Sequence, residues 1–266
     1  MSLISAKLFI ERFRYSDDLK KDTIDVPHNI YKEIVNDLYQ NNLLISKELT
    51  PYIHESIDEI CKDLKLPKGS IECFVYPSNE IQASCLSVSD KKAVMRFSSS
   101  LINLLDKDEL KFIAGHELGH FLLGHGQEVN HNENNRTEDV YLLMKSRYKE
   151  ISADRVGLIV CKSTEKAISA IFKLMSGLSS DHIRFDISAF INQKSKENSR
   201  YNNSNILSTH PSNLLRCRAL LWFSLTSFIK KGEKFFNESE MEVLNQRIHK
   251  DLVDFVDGPI FDRVES

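Results

Sequence analysis

The chain has 266 residues, of which 41% are hydrophobic and 27% charged, and its 35 basic and 38 acidic side chains leave a formal charge of −3. This length and composition are those of a globular chain that can bury a core, and they exclude fibrous and disordered classes. The near-neutral balance argues against a general binder of nucleic acids or anionic membranes, because both need clustered basic charge.

The five cysteines are scattered and form no C-x-x-C pair, which favours reduced thiols over a disulfide scaffold or a cysteine-ligated zinc site. Lys7, Glu11 and Arg12 interrupt the apolar residues at the N-terminus, so no signal-peptide core is present there. The longest apolar stretch, residues 219–229, falls short of the ~20 residues of a membrane helix. We therefore expect a cytoplasmic protein without membrane insertion and without a nucleic-acid partner.

The first part of the chain is predicted to be helical. Between residues 30 and 66 the apolar side chains recur every three or four positions, which is typical of amphipathic helices. Residues 67–69, Pro-Lys-Gly, are expected to end the second of two such helices. Three β-prone runs bounded by turn residues then predict a small sheet, with strands at residues 71–76, 81–88 and 93–97.

Helices are predicted to dominate the rest of the chain. Acidic residues at 106–109 suit the first turn of a helix that ends at Gly124. Further helices are predicted over residues 141–161, from an N-cap at Ser163, over 211–229 and over 238–256. Two polar segments, residues 127–138 and 192–205, are predicted to be loops.

We find no repeat and no linker that would divide the chain, so we expect one α+β domain that is mostly helical. Its expected parts are N-terminal helices (1–70), a core with the small sheet (71–229) and a helical C-terminal tail (230–266). The polar segment 192–205 leads directly towards His210 and is a candidate lid, although an unimportant surface loop is an equally good interpretation.

The chemistry of the sequence is concentrated in His116-Glu117-Leu118-Gly119-His120, an H-E-x-x-H motif inside a predicted helix. Residues four apart lie on one helix face, so both imidazoles can reach one metal ion. Zinc binds neutral imidazole well, and Glu117 is then placed to act on a metal-bound water. Apolar neighbours bury this turn on nearly every side, which argues against two unrelated surface histidines. We expect one zinc ion per chain.

A catalytic zinc usually has three protein ligands and one water, so one ligand is still missing. The best candidate is Glu150, which forms an E-x-x-x-D pattern with Asp154 on one face of a predicted helix. Glu150 would bind the zinc, and Asp154 would accept the N–H of a ligating histidine. His125 and His131 compete as third ligands, but we interpret the first as a helix-end histidine and the second as exposed.

His210 follows a polar loop and precedes Pro211, the predicted first residue of a helix. At that position it can donate a hydrogen bond to a developing oxyanion. It can also bind the zinc as a fourth ligand that displaces the water. The alternative is a helix-capping or surface histidine.

Three motifs in this order resemble the HtpX/CAAX-prenyl-protease family of gluzincin zinc metallopeptidases: H-E-L-G-H, E-I-S-A-D-R at 150–155, and S-T-H-P-S at 208–212 followed by Arg216. The resemblance implies a zincin-like domain in which two helices carry the zinc ligands and the edge of a small sheet holds the substrate. It implies the ligands His116, His120 and Glu150, the general base Glu117, and His210 and Arg216 beside the reacting carbonyl. Many members of that family have transmembrane helices, and this chain shows none.

These features predict a zinc-dependent endopeptidase that acts on protein or peptide substrates. Zinc would polarise the peptide carbonyl, and Glu117 would take a proton from the attacking water and return it to the leaving amine. The substrate would add as an extended strand along residues 81–88. The alternatives are a repressor-cleaving peptidase of the phage and stress-response type, a non-catalytic zinc-dependent binding module, and a purely structural metal site.

Overall fold

The computed structural model describes residues 3–15, 28–89, 92–125, 136–190, 212–230 and 237–252. The main helices within these ranges are α1 (Leu3–Glu11), α2 (His28–Asn41), α3 (Pro51–Asp63), α4 (Ser99–Leu104), α5 (Lys107–Leu123), α6 (Arg136–Cys161), α7 (Thr164–Ser176), α8 (Asn213–Ser224), α9 (Ser227–Lys230) and α10 (Glu238–Leu252). The strands are β1 (Leu43–Leu44), β2 (Ile71–Tyr76), β3 (Ala83–Ser89) and β4 (Lys92–Ser98). The predicted fold class, α+β and mostly helical, is confirmed.

The four strands form one mixed sheet in the order β1-β2-β4-β3. The inner strands β2 and β4 are parallel, whereas β1 pairs with β2 and β3 pairs with β4 in antiparallel fashion. Strand β3 is therefore an edge of the sheet in the described part of the chain, and it lies beside α5. The three predicted strands are confirmed, and the sheet gains the two-residue strand β1, which lies inside the region expected to be helical.

The N-terminal helices agree with the predicted pair between residues 30 and 66. Helix α2 lies against the outer face of the sheet, where Leu38, Phe74 and Val94 form a small buried cluster. Helix α3 has Pro51 in its first turn and ends before the predicted stop at residues 67–69, because Lys65 already has a positive φ of 58°.

Helix α5 begins and ends where the sequence predicts. The Asp106 carboxylate accepts hydrogen bonds from the N–H groups of Asp108 and Glu109, and the Glu109 carboxylate accepts one from the N–H of Asp106 at 2.8 Å. This reciprocal capping satisfies donors that the first helical turn leaves unpaired. At the other end Gly124 has a φ of 69°, a left-handed conformation that glycine adopts without strain.

Helices α5 and α6 pack closely because glycines lie between them. A Cβ atom on Gly157 would lie 2.7 Å from the carbonyl oxygen of Phe112, and one on Gly119 would lie 3.0 Å from the Cα of Ala153. Real Cβ atoms essentially never come as close as the first distance, and the second is tighter than most Cβ contacts. A larger residue at Gly157 would therefore push the helices apart, and one at Gly119 would force its neighbours to shift. This packing brings the side chains of the H-E-x-x-H motif next to those on α6.

The remaining helices differ from the predictions at two points. Helix α6 begins at Arg136, inside the predicted loop 127–138. Helix α7 agrees with its prediction and follows the N-cap Ser163, whose hydroxyl accepts a hydrogen bond from the N–H of Lys166. The helix predicted over 211–229 is divided into α8, which begins after its N-cap Ser212, and the short α9. The predictions for His131, His210 and segment 192–205 fall outside the described residues.

One apolar core joins the elements from the first to the last described helix. Its fully buried members include Ile10 of α1, Met95 of β4, Phe112 of α5, Phe223 of α8 and Leu252 of α10. Burial of such side chains supplies most of the free energy that opposes unfolding. Within the part of the chain that the structure describes, no helix has both the length and the apolar character required to cross a membrane.

Candidate metal centre

Helices α5 and α6 bring two histidines and one glutamate together. Nε2 of His116 lies 3.1 Å from Nε2 of His120, and each of these nitrogens lies 3.4 Å from a different carboxylate oxygen of Glu150. His116 and Glu150 are buried, and His120 is partly buried. Each of the three side chains offers one ligand atom to the space between them, so together they could hold a metal ion.

The spacing of these donors fits a metal ion. Ligand atoms held at 2.0–2.1 Å around a tetrahedral zinc ion lie roughly 3.3 Å apart. The observed separations of 3.1 and 3.4 Å between the side-chain atoms match that spacing. A set of two imidazoles and one carboxylate also leaves the fourth position open, as catalytic sites require. The three residues therefore fit a four-coordinate metal ion with one free position.

Asp154, one turn after Glu150 on α6, contacts the other side of the His116 ring. Its Oδ1 lies 2.9 Å from Nδ1 of His116. Burial alone would raise the pKa of Asp154, but the guanidinium of Arg216 and the ring of His116 outweigh it and hold the pKa below the usual value. The ionised carboxylate accepts the Nδ1–H of His116, so in the neutral ring that would bind a metal the Nε2 lone pair faces His120 and Glu150.

Arg216 lies on the first turns of α8 and is directed at Asp154. Its Nε donates to Oδ2 at 2.8 Å and its Nη2 donates to Oδ1 at 2.6 Å, a bidentate pair. Burial alone would lower the pKa of Arg216, but the Asp154 carboxylate reverses this and raises it. The resemblance placed Arg216 beside the reacting carbonyl. In the structure the Nε and Nη2 groups of Arg216 donate to Asp154 instead, although the side chain also lines the cleft.

Glu117 lies between the two histidines on α5 and lines the same cleft without being part of the three-residue cluster. Burial raises its pKa above the usual value, against the lowering effect of His116 and His120. A carboxylate with a raised pKa is a stronger base than an exposed one. The pKa of His116 behaves differently: burial lowers it, but the Glu150 and Asp154 carboxylates raise it to about 10.

His125 lies on the far side of His120 from the cluster. Its Nδ1 is 3.0 Å from Nδ1 of His120, and the two rings meet edge to face with centroids 5.1 Å apart. Burial, together with His120, Arg14 and Lys149, holds its pKa well below the usual value, so the ring is neutral. The interpretation as a helix-end histidine agrees with this position, but the sequence did not indicate the contact with His120.

A cleft of about 730 Å³ opens beside the cluster. Residues 81–83, which lead into the edge strand β3, form one side, and Arg216 and the cluster form another. The rest of the described wall is mostly apolar, with Ile113 of α5, Ile171, Leu174 and Met175 of α7, and Phe190. This wall was not predicted, because its residues are far apart in the sequence and each resembles an ordinary core residue.

Two packed helices that present a His-His-Glu cluster beside a mixed sheet define a metallopeptidase type of fold and site. The model of peptidase family M48 matches residues 47–134 and 131–222. The chain belongs to this family, and the resemblance found in its motifs is thereby confirmed.

Curated relatives agree with this assignment. The chain is 27% identical over 167 residues to the plastoglobule-localized metallopeptidase 48 of Arabidopsis thaliana, covering 57% of this chain and 48% of the relative. It is 32% identical over 76 residues to a protease HtpX homolog of Sulfurihydrogenibium sp., covering 29% of this chain and 25% of the relative. The matched region spans less than half the length of each relative. No solved structure matches the chain.

Proposed function

We propose that the chain is a zinc-dependent endopeptidase whose metal is held by His116, His120 and Glu150. The observation that carries the proposal is the cluster of three donors, 3.1–3.4 Å apart, at the wall of an open cleft. When bound there, zinc would polarise a peptide carbonyl and lower the pKa of a coordinated water. Two imidazoles and a carboxylate are a donor set that zinc prefers.

Glu117 acts as the general base in this proposal. It takes a proton from the attacking water and later delivers it to the nitrogen of the leaving amine. Its position between the two histidine ligands, facing the cleft and outside the ligand set, supports this role. A non-catalytic binding module needs no such base, so the partly buried carboxylate favours an enzyme over that alternative.

Asp154 and Arg216 keep the first ligand in place. Asp154 holds the Nδ1–H of His116, and Arg216 fixes both oxygens of Asp154. We therefore assign Arg216 as a positioning residue that acts through Asp154 and His116. The oxyanion role of His210 remains a prediction from the sequence.

The substrate binds as an extended strand beside β3. This strand pairs with β4 on one side only in the described part of the sheet, so backbone groups on its other side are free to pair with a peptide. Main-chain hydrogen bonds contribute to affinity but discriminate little between substrate sequences. The apolar wall formed by Ile113, Ile171 and Leu174 supplies selectivity by accepting a large apolar side chain next to the scissile bond.

The decisive experiment measures metal content and cleavage together. Purified protein should contain about one zinc ion per chain and cleave casein, lose both with a chelator and regain both with zinc. Glu150→Gln should bind zinc much more weakly, whereas the exposed control Glu165→Gln should bind it like wild type. Equal zinc affinity of Glu150→Gln and wild type, or cleavage that survives complete metal removal, contradicts the proposal.

A further inference from the structure

We propose that His125 is a positioning residue that fixes the orientation and the tautomer of the ligand His120. In this arrangement His125 Nδ1 accepts the Nδ1–H of His120, which directs the Nε2 lone pair of His120 at the metal. The inference rests on the zinc site proposed above. It adds an outer partner for the second histidine ligand, as Asp154 is for the first.

The backbone holds His125 in place for this contact. After α5 ends, Gly124 takes the left-handed conformation with a φ of 69°, and the N–H of His125 donates to the carbonyl oxygen of His120 at 2.9 Å. The chain therefore folds back over the last helical turn. The same fold-back places the two Nδ1 atoms 3.0 Å apart. His125 thus binds His120 twice, once through the backbone and once through the ring.

The position of the hydrogen follows from metal binding. A hydrogen bond between two Nδ1 atoms contains a single hydrogen. If His125 provided it, neutral His120 would carry its own hydrogen on Nε2 and could not bind a cation there. If His120 provides it, its Nε2 lone pair faces His116 and Glu150, at 3.1 and 3.4 Å. Metal binding therefore selects the second arrangement, with His125 as the acceptor.

The two histidine ligands differ in the charge of their outer partners. His116 donates to the carboxylate of Asp154, which Arg216 in turn holds. His120 donates to a neutral imidazole. A carboxylate makes its histidine a more strongly donating ligand than a neutral acceptor does. His125 therefore fixes geometry without adding negative charge to a site that already contains Glu150 and Asp154.

The unused nitrogen of His125 makes the role testable apart from folding. With Nδ1 accepting, the hydrogen of His125 lies on Nε2, which is buried and has no hydrogen-bond partner among the described residues. A buried donor without a partner opposes folding, so an apolar residue of similar size removes that cost. Replacing His125 with Leu should therefore leave the metal-free fold intact while it removes the acceptor.

The experiment compares His125→Leu with His125→Asn, whose amide oxygen can take the place of Nδ1 as the acceptor. The matched control is His182→Leu, at an exposed histidine outside the cleft. Three quantities are measured: the zinc dissociation constant by chelator competition, the visible absorption of the Co²⁺ form, and the melting temperature of the metal-free chain. His125→Leu should bind zinc roughly 10–100-fold more weakly and alter the Co²⁺ spectrum, with little change in metal-free melting.

His125→Asn should recover most of the zinc affinity, and His182→Leu should match wild type throughout. Wild-type zinc affinity in His125→Leu overturns the inference. Equal weakening in His125→Leu and His125→Asn, with a lower melting temperature of the metal-free chain, also overturns it, because ring packing would then be the cause. A wild-type chain that binds no zinc refutes the proposed function itself, which distinguishes the two failures.

Discussion

Oδ1 of Asp154 lies 2.9 Å from Nδ1 of His116, and the same oxygen accepts a hydrogen bond from Arg216 at 2.6 Å. The Asp154 carboxylate on α6 thus connects His116 on α5 to Arg216 on α8. Because Asp154 is almost fully buried, its charge depends on these two partners. The arrangement couples the orientation of His116, a proposed metal ligand, to the packing of α8.

The first prediction follows from this contact. Asp154→Asn loses the charged acceptor of His116 and leaves the partly buried guanidinium of Arg216 without its counterion. We expect zinc affinity to fall roughly 10–100-fold and the free energy of unfolding to fall by about 3–5 kcal/mol. Chelator competition and urea denaturation measure the two effects. In a double-mutant cycle, Arg216→Met should add little to Asp154→Asn. Fully additive effects would show that the two residues act independently.

The second prediction separates metal binding from proton transfer. Glu117 lies outside the ligand cluster, so Glu117→Gln should keep the fold and the full zinc content. Its kcat for peptide cleavage should fall by roughly 100- to 10,000-fold, because an amide cannot accept the proton of the attacking water. Zinc analysis and cleavage kinetics on one preparation provide the comparison. Cleavage by Glu117→Gln at the wild-type rate would refute the mechanism.

The third prediction concerns the spacing of α5 and α6. A methyl group at position 157 would lie 2.7 Å from the Phe112 carbonyl oxygen, so Gly157→Ala must separate the two helices that carry the proposed ligands. We expect lower stability of the metal-free chain, by roughly 1–3 kcal/mol, together with weaker zinc binding.

Gly69→Ala is the matched control for Gly157→Ala. Gly69 has a φ of 75° and open space around its Cβ position, between α3 and β2. Alanine there should cost stability through backbone strain, roughly 1 kcal/mol, and leave zinc affinity unchanged. Equal loss of zinc affinity in the two variants would mean that general destabilisation, and not helix spacing, is responsible.

The sequence predicts the parts of this molecule that depend on local patterns. Helical periodicity located α3, and the acidic first turn and the N-cap Ser163 located α5 and α7. The spacing of the motifs selected His116, His120 and Glu150, which the structure brings together. Strand β1 has only two residues, too few to show a period. The direction of Arg216 towards Asp154 and the contact between His125 and His120 depend on how helices and turns pack, and no spacing rule contains that information.

The fourth prediction is a pH dependence at the start of α5. Burial alone would raise the pKa of Asp106, but the N–H of Glu109 and the ammonium of Lys166 outweigh it and hold the pKa below its usual value. The stability that ionised Asp106 contributes is therefore complete above the unfolded-state pKa of about 3.9 and is lost as the pH falls through the lower folded-state value. Asp106→Ala should cost about 1 kcal/mol at pH 7 and less at pH 3.

Ser163→Ala is the control for Asp106→Ala, because the neutral hydroxyl of Ser163 caps α7 in the same way. Its cost should not change between pH 7 and pH 3, since no titrating group is removed. Urea denaturation of both variants and of wild type at the two pH values provides the measurement. A cost of Asp106→Ala that is the same at both pH values would contradict the assignment of an ionised cap.

The last prediction concerns the apolar wall of the cleft. Leu174 lies on this wall, whereas Leu178, four residues later, is exposed and does not line the cleft. In a peptide library, wild type should prefer Leu or Phe over Asp or Lys next to the scissile bond, because a charged side chain would lose its hydration against Ile113, Ile171 and Leu174. Leu174→Lys should lower kcat/KM for the apolar peptides by roughly 10-fold or more. It should also raise kcat/KM for peptides with Asp, because the new ammonium group pairs with their carboxylate. Leu178→Lys changes the charge of the chain equally but should keep the wild-type preference, so the same shift in both variants, or none in Leu174→Lys, would refute the role of this wall.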